Sequence, residues 1–403
     1  MDDSQEILKL ASSAGRTLLE NGAEIYRVEE TMEKIASHYG EDTEKFFVLS
    51  NGIFTTGKAY ANVEFIPIRS ASLDKVVAVN QLSRDISQKG LSVQEASAEL
   101  DRIQRMKAKP VWERLVGTVL GCGGFCAIFG GGLSDCAAAA VAGLIMCCFI
   151  IFVGSPKMSK ILANICGGFI GTIVCLLFHQ LGFGVNLGNM VIGAMILLIP
   201  GVPFTNGLRD MANEDYIAGS TRLIDALMVF FCIALGVSLA FIAHSWIAGG
   251  MIQLHGTVTD TLTAAFPLQL LAAFVGTAAF AVLFGVPRKF YMSSGLVGMA
   301  GWLIYLLCVR YTPLGVAGGT FCAATAVGLL SKHCAVRLKC PSTVFLICGI
   351  FPLIPGAGVF WSSYYTVSSQ LQSALGAGFT AIKVTIAIVL GIIIASNIHH
   401  RRK

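Results

Sequence analysis

Two hydrophobic rhythms divide the chain, and they change near Pro110. Before it, apolar residues recur at helical spacing. The stretch 4–19 alternates apolar and polar positions, and within 25–39 Ile25, Val28, Met32, Ile35 and Tyr39 share one stripe that Gly40 closes. Runs 45–56 and 61–68, joined by a turn containing Gly57, read as strands, and 73–88 and 92–106 as two more helices. Residues 1–112 therefore predict a small α+β domain. Beyond it the runs are apolar on every face. A helix needs about 20 such residues to cross a hydrocarbon core of about 30 Å. Candidates lie at 115–133, 136–153, 161–181, 184–199, 222–243, 265–284, 291–309, 313–330, 341–359 and 376–396, which makes about ten membrane spans. The semi-polar stretch 244–263 reads as a loop or an interfacial helix.

Composition and charge sharpen this picture. Of 403 residues, 55% are hydrophobic and 13% charged, too few charges for a soluble protein of this length. The net charge of +5 does not point to nucleic acid, because the Lys and Arg surplus sits in short loops between apolar runs. Lys157, Lys160, Arg209, Arg288, Lys289, Lys332, Arg337, Lys339 and the tail 399–403 all fall on one predicted side, against Arg310 on the other. The positive-inside rule then places both termini in the cytoplasm and requires an even number of spans. The acidic N-terminus lacks a signal-peptide pattern, so it is expected to stay on the cytoplasmic side of an inner membrane. The 13 cysteines are scattered singly apart from adjacent Cys147 and Cys148 and form no CxxC pair, which predicts apolar packing rather than a metal site. No phosphate-binding glycine loop is present, so neither ATP nor another cofactor is expected.

Span four ends in Leu198-Ile199-Pro200-Gly201 and span nine in Leu353-Ile354-Pro355-Gly356. The recurrence predicts two five-helix modules, 113–245 and 262–403, inserted with opposite orientation because each crosses an odd number of times. Breaks at Pro200, Gly201 and Pro203, and again at Pro355 and Gly356, free backbone groups that hydrocarbon cannot satisfy, so they are expected beside a wet cavity. Polar residues cluster next to them. Thr205, Asn206, Arg209 and Asp210 follow the first break, and Tyr364 and Tyr365 the second. Together with Lys383, inside span ten, they form the candidate substrate site. Asp210 and Asp225 are candidates for proton coupling. A plainer reading makes 203–215 a hydrated loop whose Arg209 only sets topology. The acidic group Glu24, Glu29, Glu30 and Glu33 with Arg27 reads most simply as a solvated helix face.

Two segments carry a family resemblance. The run 18–29, Leu-Leu-Glu-Asn-Gly-Ala-Glu-Ile-Tyr-Arg-Val-Glu, and the run 199–210, Ile-Pro-Gly-Val-Pro-Phe-Thr-Asn-Gly-Leu-Arg-Asp, resemble the first module of the bacterial threonine/serine exporters. The run 351–358 resembles their second module. The resemblance covers essentially the whole chain. It implies a cytoplasmic N-terminal domain, ten spans, and export of small polar metabolites driven by the proton motive force. In some members the modules are separate subunits. The Asn-Gly-Ala-Glu segment has been likened to hydrolases, but no nucleophile–base pair accompanies it here, so no catalytic residue is assigned.

The residues themselves specify only a small zwitterion or anion. Threonine and serine come from the resemblance, and a dicarboxylate would use the same Arg209. Expected partners are that small molecule, protons and the lipid bilayer, with a homo-oligomer left open. A passive channel and a membrane-embedded enzyme are the readings to be distinguished from a carrier.

Overall fold

The computed structural model describes residues 3–41, 46–57, 60–66, 71–154, 158–250, 252, 254 and 265–398. Lys157, the tail 399–403 and most of the semi-polar stretch after 250 lie outside the described residues. Helices α1 (Asp3–Glu20) and α2 (Ile25–His38) precede an antiparallel sheet of β1 (Phe46–Leu49), β2 (Gly52–Gly57) and β3 (Tyr60–Phe65), in that spatial order. Helices α3 (Leu73–Lys89) and α4 (Val93–Gln104) complete the N-terminal part. The stripe on α2 packs inward, with Ile25, Val28, Met32 and Ile35 all buried. A capping box of Ser92 and Glu95 starts α4.

The apolar remainder is helical. It comprises α5 (Val111–Ile128), α6 (Leu133–Phe149), α7 (Lys160–Gln180), α8 (Leu187–Met195), α9 (Gly201–Ala212) and α10 (Tyr216–Ala248). The second half comprises α11 (Phe266–Leu283), α12 (Tyr291–Tyr311), α13 (Gly315–Leu338), α14 (Thr343–Ile350), α15 (Gly356–Val367) and α16 (Leu371–Asn397). Among the described residues, 8 helical stretches are long and apolar enough to cross a membrane, or 9 if the bent pair α8 and α9 counts as one. The shortfall against about ten expected is the run 313–330. It folds as the 24-residue α13, whose Gly315, Gly318, Gly319 and Thr320 dilute its apolar surface.

Small residues bring these helices together, as bilayer packing requires. Helices α5 and α11 run antiparallel, with Gly117 against Ala279 and Gly124 against the backbone of Gly276. In the first half α7 meets α10 through Gly168 and Gly236; in the second, α13 meets α16 through Ala324 and Gly391. The N-terminal part seats on one end of this bundle. The Leu73 and Asp74 N–H groups donate to Phe284 O and Gly285 O at 3.1 and 2.9 Å. Arg84 donates to Lys339 O at 2.8 Å. At the opposite end buried Asp135 ties two turns together, accepting from the N–H groups of Gly132, Val185 and Asn186.

Candidate functional site

Both Leu-Ile-Pro-Gly segments adopt one backbone shape. Proline disfavours helical geometry in the residue before it. Ile199 and Ile354 are accordingly extended, with ψ of 125° and 134°. Pro200 (φ -77°, ψ 61°) and Pro355 (φ -75°, ψ 48°) then form inverse γ-turns. Their closing bonds run from Gly201 N–H to Ile199 O at 2.8 Å and from Gly356 N–H to Ile354 O at 2.7 Å. Helix resumes at once, and Pro203 is tolerated because the first turn needs no intrahelical donor. The segments 201–212 and 356–367 are therefore helices. The breaks also touch each other: Gly201 lies against the Phe351 ring, and Gly356 against Ile199. Neither position has room for a β-carbon without displacement.

After the first break the chain bends by 68° and α9 runs under the N-terminal part. There the two halves of the ionic chemistry meet. Arg209 pairs with Glu24, which is 0% exposed, and donates to Tyr26 Oη at 3.0 Å and Ser342 Oγ at 3.1 Å. Thr343 donates to the same Glu24 oxygen at 2.6 Å. The other Glu24 oxygen faces Arg27 Nε at 3.6 Å, an ion pair without a hydrogen bond. Burial alone would raise the Glu24 pKa, but Arg209 and Arg27 outweigh it and hold the carboxyl below its ordinary 4.5. One residue along α9, Asp210 accepts from Arg222 at 2.6 Å and from the Ile25 N–H at 3.3 Å, and so caps α2 from outside. Arg222 and Asn206 donate onward to Ala23 O and Gly22 O at 3.0 and 2.7 Å. Gly22 has φ +87° and lies close to Val202, so a side chain there would be strained and crowded.

The second break borders a different environment. A cavity of about 410 Å³ is lined by Asn189 and Ile192 from the first half and by α12, α13, α15 and α16 from the second. Trp302, Tyr305, Trp361 and Tyr365 give it aromatic walls, and Asn189, Thr320, Ser373 and Thr380 supply polar groups. The first turn of α15, at Ala357 and Gly358, forms part of the lining. N–H groups in a first turn have no carbonyl within their own helix. The buried Trp302 indole N–H likewise has no hydrogen-bond partner among the described residues. Along the chain, Phe351 falls between Thr343 of the ionic network and Pro352 of the cavity lining, and it sits in an aromatic cluster. Phe351 stacks on Phe280 at 4.1 Å and meets Phe125 and Phe284 edge-on at 5.5 and 5.4 Å.

Comparison with known proteins bears on both halves. The family described as "Putative threonine/serine exporter" matches residues 9–243, and "Threonine/Serine exporter, ThrE" matches 269–398. The chain belongs to the threonine/serine exporter family. It is similar to the threonine/serine exporter of Corynebacterium glutamicum, 24% identical over 94% of this chain and 79% of that protein. Similarity to a protein named probable threonine/serine exporter in Mycobacterium tuberculosis is also 24% identity, over 98% and 78%. A Yarrowia lipolytica protein named pheromone-regulated membrane protein 10 is 22% identical over 57% of this chain and 20% of its own length. No solved structure matches. As a family member the chain is a multi-pass membrane transport protein rather than an enzyme.

Within this exporter the residues singled out from sequence do not form one site. Thr205, Asn206, Arg209 and Asp210 are buried on α9 beneath the N-terminal part, and none of them lines the cavity that Tyr365 lines. The hydrated-loop alternative for 203–215 fails too, since Arg209 and Asp210 are buried. Tyr364 is buried, its hydroxyl donating to Ile252 O and accepting from Leu254 N–H at 2.8 and 2.7 Å. Lys383 is exposed on α16 beside the Phe379 ring and does not line the cavity. Asp225 is partly exposed and paired with Lys160 at 2.6 Å. The solvated acidic face is corrected at its start: Glu24 is buried and Arg27 largely so. Glu24, Tyr26, Arg222, Trp302 and Asn189 were not singled out as site residues. The adjacent, oppositely charged Arg209 and Asp210 on a buried helix were the signal that two partners of opposite sign had to exist.

Proposed function

We propose that this exporter moves small amino acids, L-threonine and L-serine, by alternating access, with cargo held in the cavity beside the second break. The observation that carries the reading is a 410 Å³ space between the two halves with a broken-helix N-terminus in its wall. A substrate carboxylate suits the first-turn N–H groups of α15. The ammonium suits the carbonyls around 352–355 and the faces of Trp361 and Tyr365. A hydroxyl on the cargo suits Asn189, Thr320 or Thr380. Among the described residues no Lys or Arg lines the cavity, which favours a zwitterion over a dicarboxylate.

The two halves act as inverted five-helix repeats that follow a 1–112 domain. Matching helix order, matching break geometry and the antiparallel α5 and α11 support this. The N-terminal domain caps the end that carries Arg288, Lys289 and Lys339, so positive-inside orientation makes that end cytoplasmic in a bacterial inner membrane. The cavity then opens outward while the ionic network closes the inner side. Proton coupling runs through this closure: protonating Asp210 discharges one member of its buried pair with Arg222 and loosens the domain from α9. Proteoliposomes test the reading. Saturable threonine counterflow with efflux accelerated by an inward proton gradient is expected. Flux that never saturates would make the chain a channel, and efflux indifferent to the gradient would remove the coupling.

A further inference from the structure

A second cavity, of about 870 Å³, lies between the N-terminal part and the ends of α13 and α16. Six cationic side chains line it: Arg27, Lys34, Arg84, Arg209, Lys332 and Lys339. Among the described residues, two carboxylates answer them. Glu30 pairs with Lys34 at 2.6 Å, and Glu24 is shared between Arg209 and Arg27. Arg84 and Lys332 spend their charge on neutral carbonyls, those of Lys339, Ala395 and Ser396. Arg27 Nε is buried and has no hydrogen-bond partner among the described residues. Like charges converging on a partly enclosed space repel one another and raise the local concentration of anions. Topology alone asks for cations near the membrane surface. It does not ask two helices of the N-terminal part to supply Arg27, Lys34 and Arg84 to the same cavity.

We infer that this cavity binds a multiply charged phosphate-bearing anion. Guanidinium groups recognise phosphate oxygens with two parallel hydrogen bonds, and lysines add point charges. Ser83, Ser87 and Asn80 supply neutral donors on the same wall. The space accommodates a nucleotide-sized ligand, and the chemistry is shared by a free phosphate compound and by an anionic lipid headgroup. Arg27, Arg209 and Ser342 belong both to this cavity and to the network around Glu24. An anion seated here competes with Glu24 for both guanidinium groups, which makes the site a means of adjusting how firmly the N-terminal part holds α9.

The test uses the full chain in nanodiscs of phosphatidylcholine, titrated with ATP and with pyrophosphate, and in parallel nanodiscs containing phosphatidylglycerol. In neutral lipid the expected result is saturable, salt-sensitive binding of a soluble probe. The double variant Arg84→Gln, Lys339→Asn should weaken it about tenfold or more, the loss expected for charged hydrogen bonds. Asparagine tolerates the left-handed backbone of Lys339, whose φ is +51°. Ser87→Asp, which adds a carboxylate to the wall, should weaken binding as well, whereas Arg102→Gln, on α4 away from the lining, should not. Absence of soluble binding together with stoichiometric phosphatidylglycerol retention lost in the same variants would identify the headgroup as the source of the phosphate. Absence of both, or binding that the lining variants leave unchanged in protein with normal thermal unfolding, would overturn the site.

Discussion

The two Ile-Pro-Gly breaks share a sequence and a backbone shape, yet they lead to opposite surroundings. After Pro200 the chain bends by 68° and its polar residues are consumed by ion pairs with the N-terminal part. After Pro355 the helix continues along one span and its first turn faces open space. Local sequence thus dictates where a helix is interrupted; what approaches the exposed end decides whether the interruption is closed by ion pairs or borders a cavity. The reciprocal contacts of Gly201 with Phe351 and Gly356 with Ile199 pack the two breaks against each other.

The largest effect should come from opening the latch. Arg209→Ala leaves Glu24 buried with less countercharge, and breaking a buried pair costs about 3–5 kcal/mol. A lower thermal unfolding midpoint and loss of threonine transport are expected. The same pair predicts a pH dependence. Because Glu24 is held below its ordinary 4.5, its stabilisation is complete above that value and is lost as pH falls through the lower folded value. Unfolding midpoints measured against pH should show this acid-side loss in the native chain and a smaller one in Glu24→Gln.

The two breaks should then differ under the same substitution. A β-carbon at Gly201 meets the ring of Phe351, which Phe280, Phe284 and Phe125 wedge in place, whereas one at Gly356 meets the mobile tip of Ile199. Gly201→Ala should cost about 1–3 kcal/mol and Gly356→Ala less than about 1, read by thermal unfolding. Equal costs would contradict the asymmetry. On the cavity side, Trp361→Ala should raise the threonine KM by roughly tenfold, the worth of one cation–π and packing contact, with little change in unfolding. The smallest effects should follow from Asp225→Asn and Lys383→Gln. The exposed Asp225–Lys160 pair is worth about 0–1 kcal/mol and Lys383 lies off the cavity lining, so efflux and its pH profile should stay within about twofold of the native chain.

Much of the helical layout was legible because bilayer length and apolar composition act locally. The breaks were legible for the same reason, since proline acts on the residue before it. Pairing was not. Glu24 and Arg209 are 185 positions apart, and Thr343 and Glu24 are 319 apart. No periodicity of either segment links them, so Glu24 looked like one acid on a wet helix face. The cavity was half visible: Tyr365 stands near a conspicuous break, but Asn189 and Trp302 lie inside apolar helices and become wall residues only when two halves of the chain pack. Lys383 is the reverse case: a charge inside an apolar run draws notice, and its long side chain lies on the exposed flank of α16, off the cavity lining.

Whether cargo occupies the space beside the second break is tested most directly by labelling Thr380→Cys with a water-soluble maleimide in proteoliposomes, read site by site by mass spectrometry. The account predicts that L-threonine slows labelling at this position and leaves Lys383→Cys unaffected. Equal labelling rates with and without saturating L-threonine, in protein that still exports it, would contradict the account.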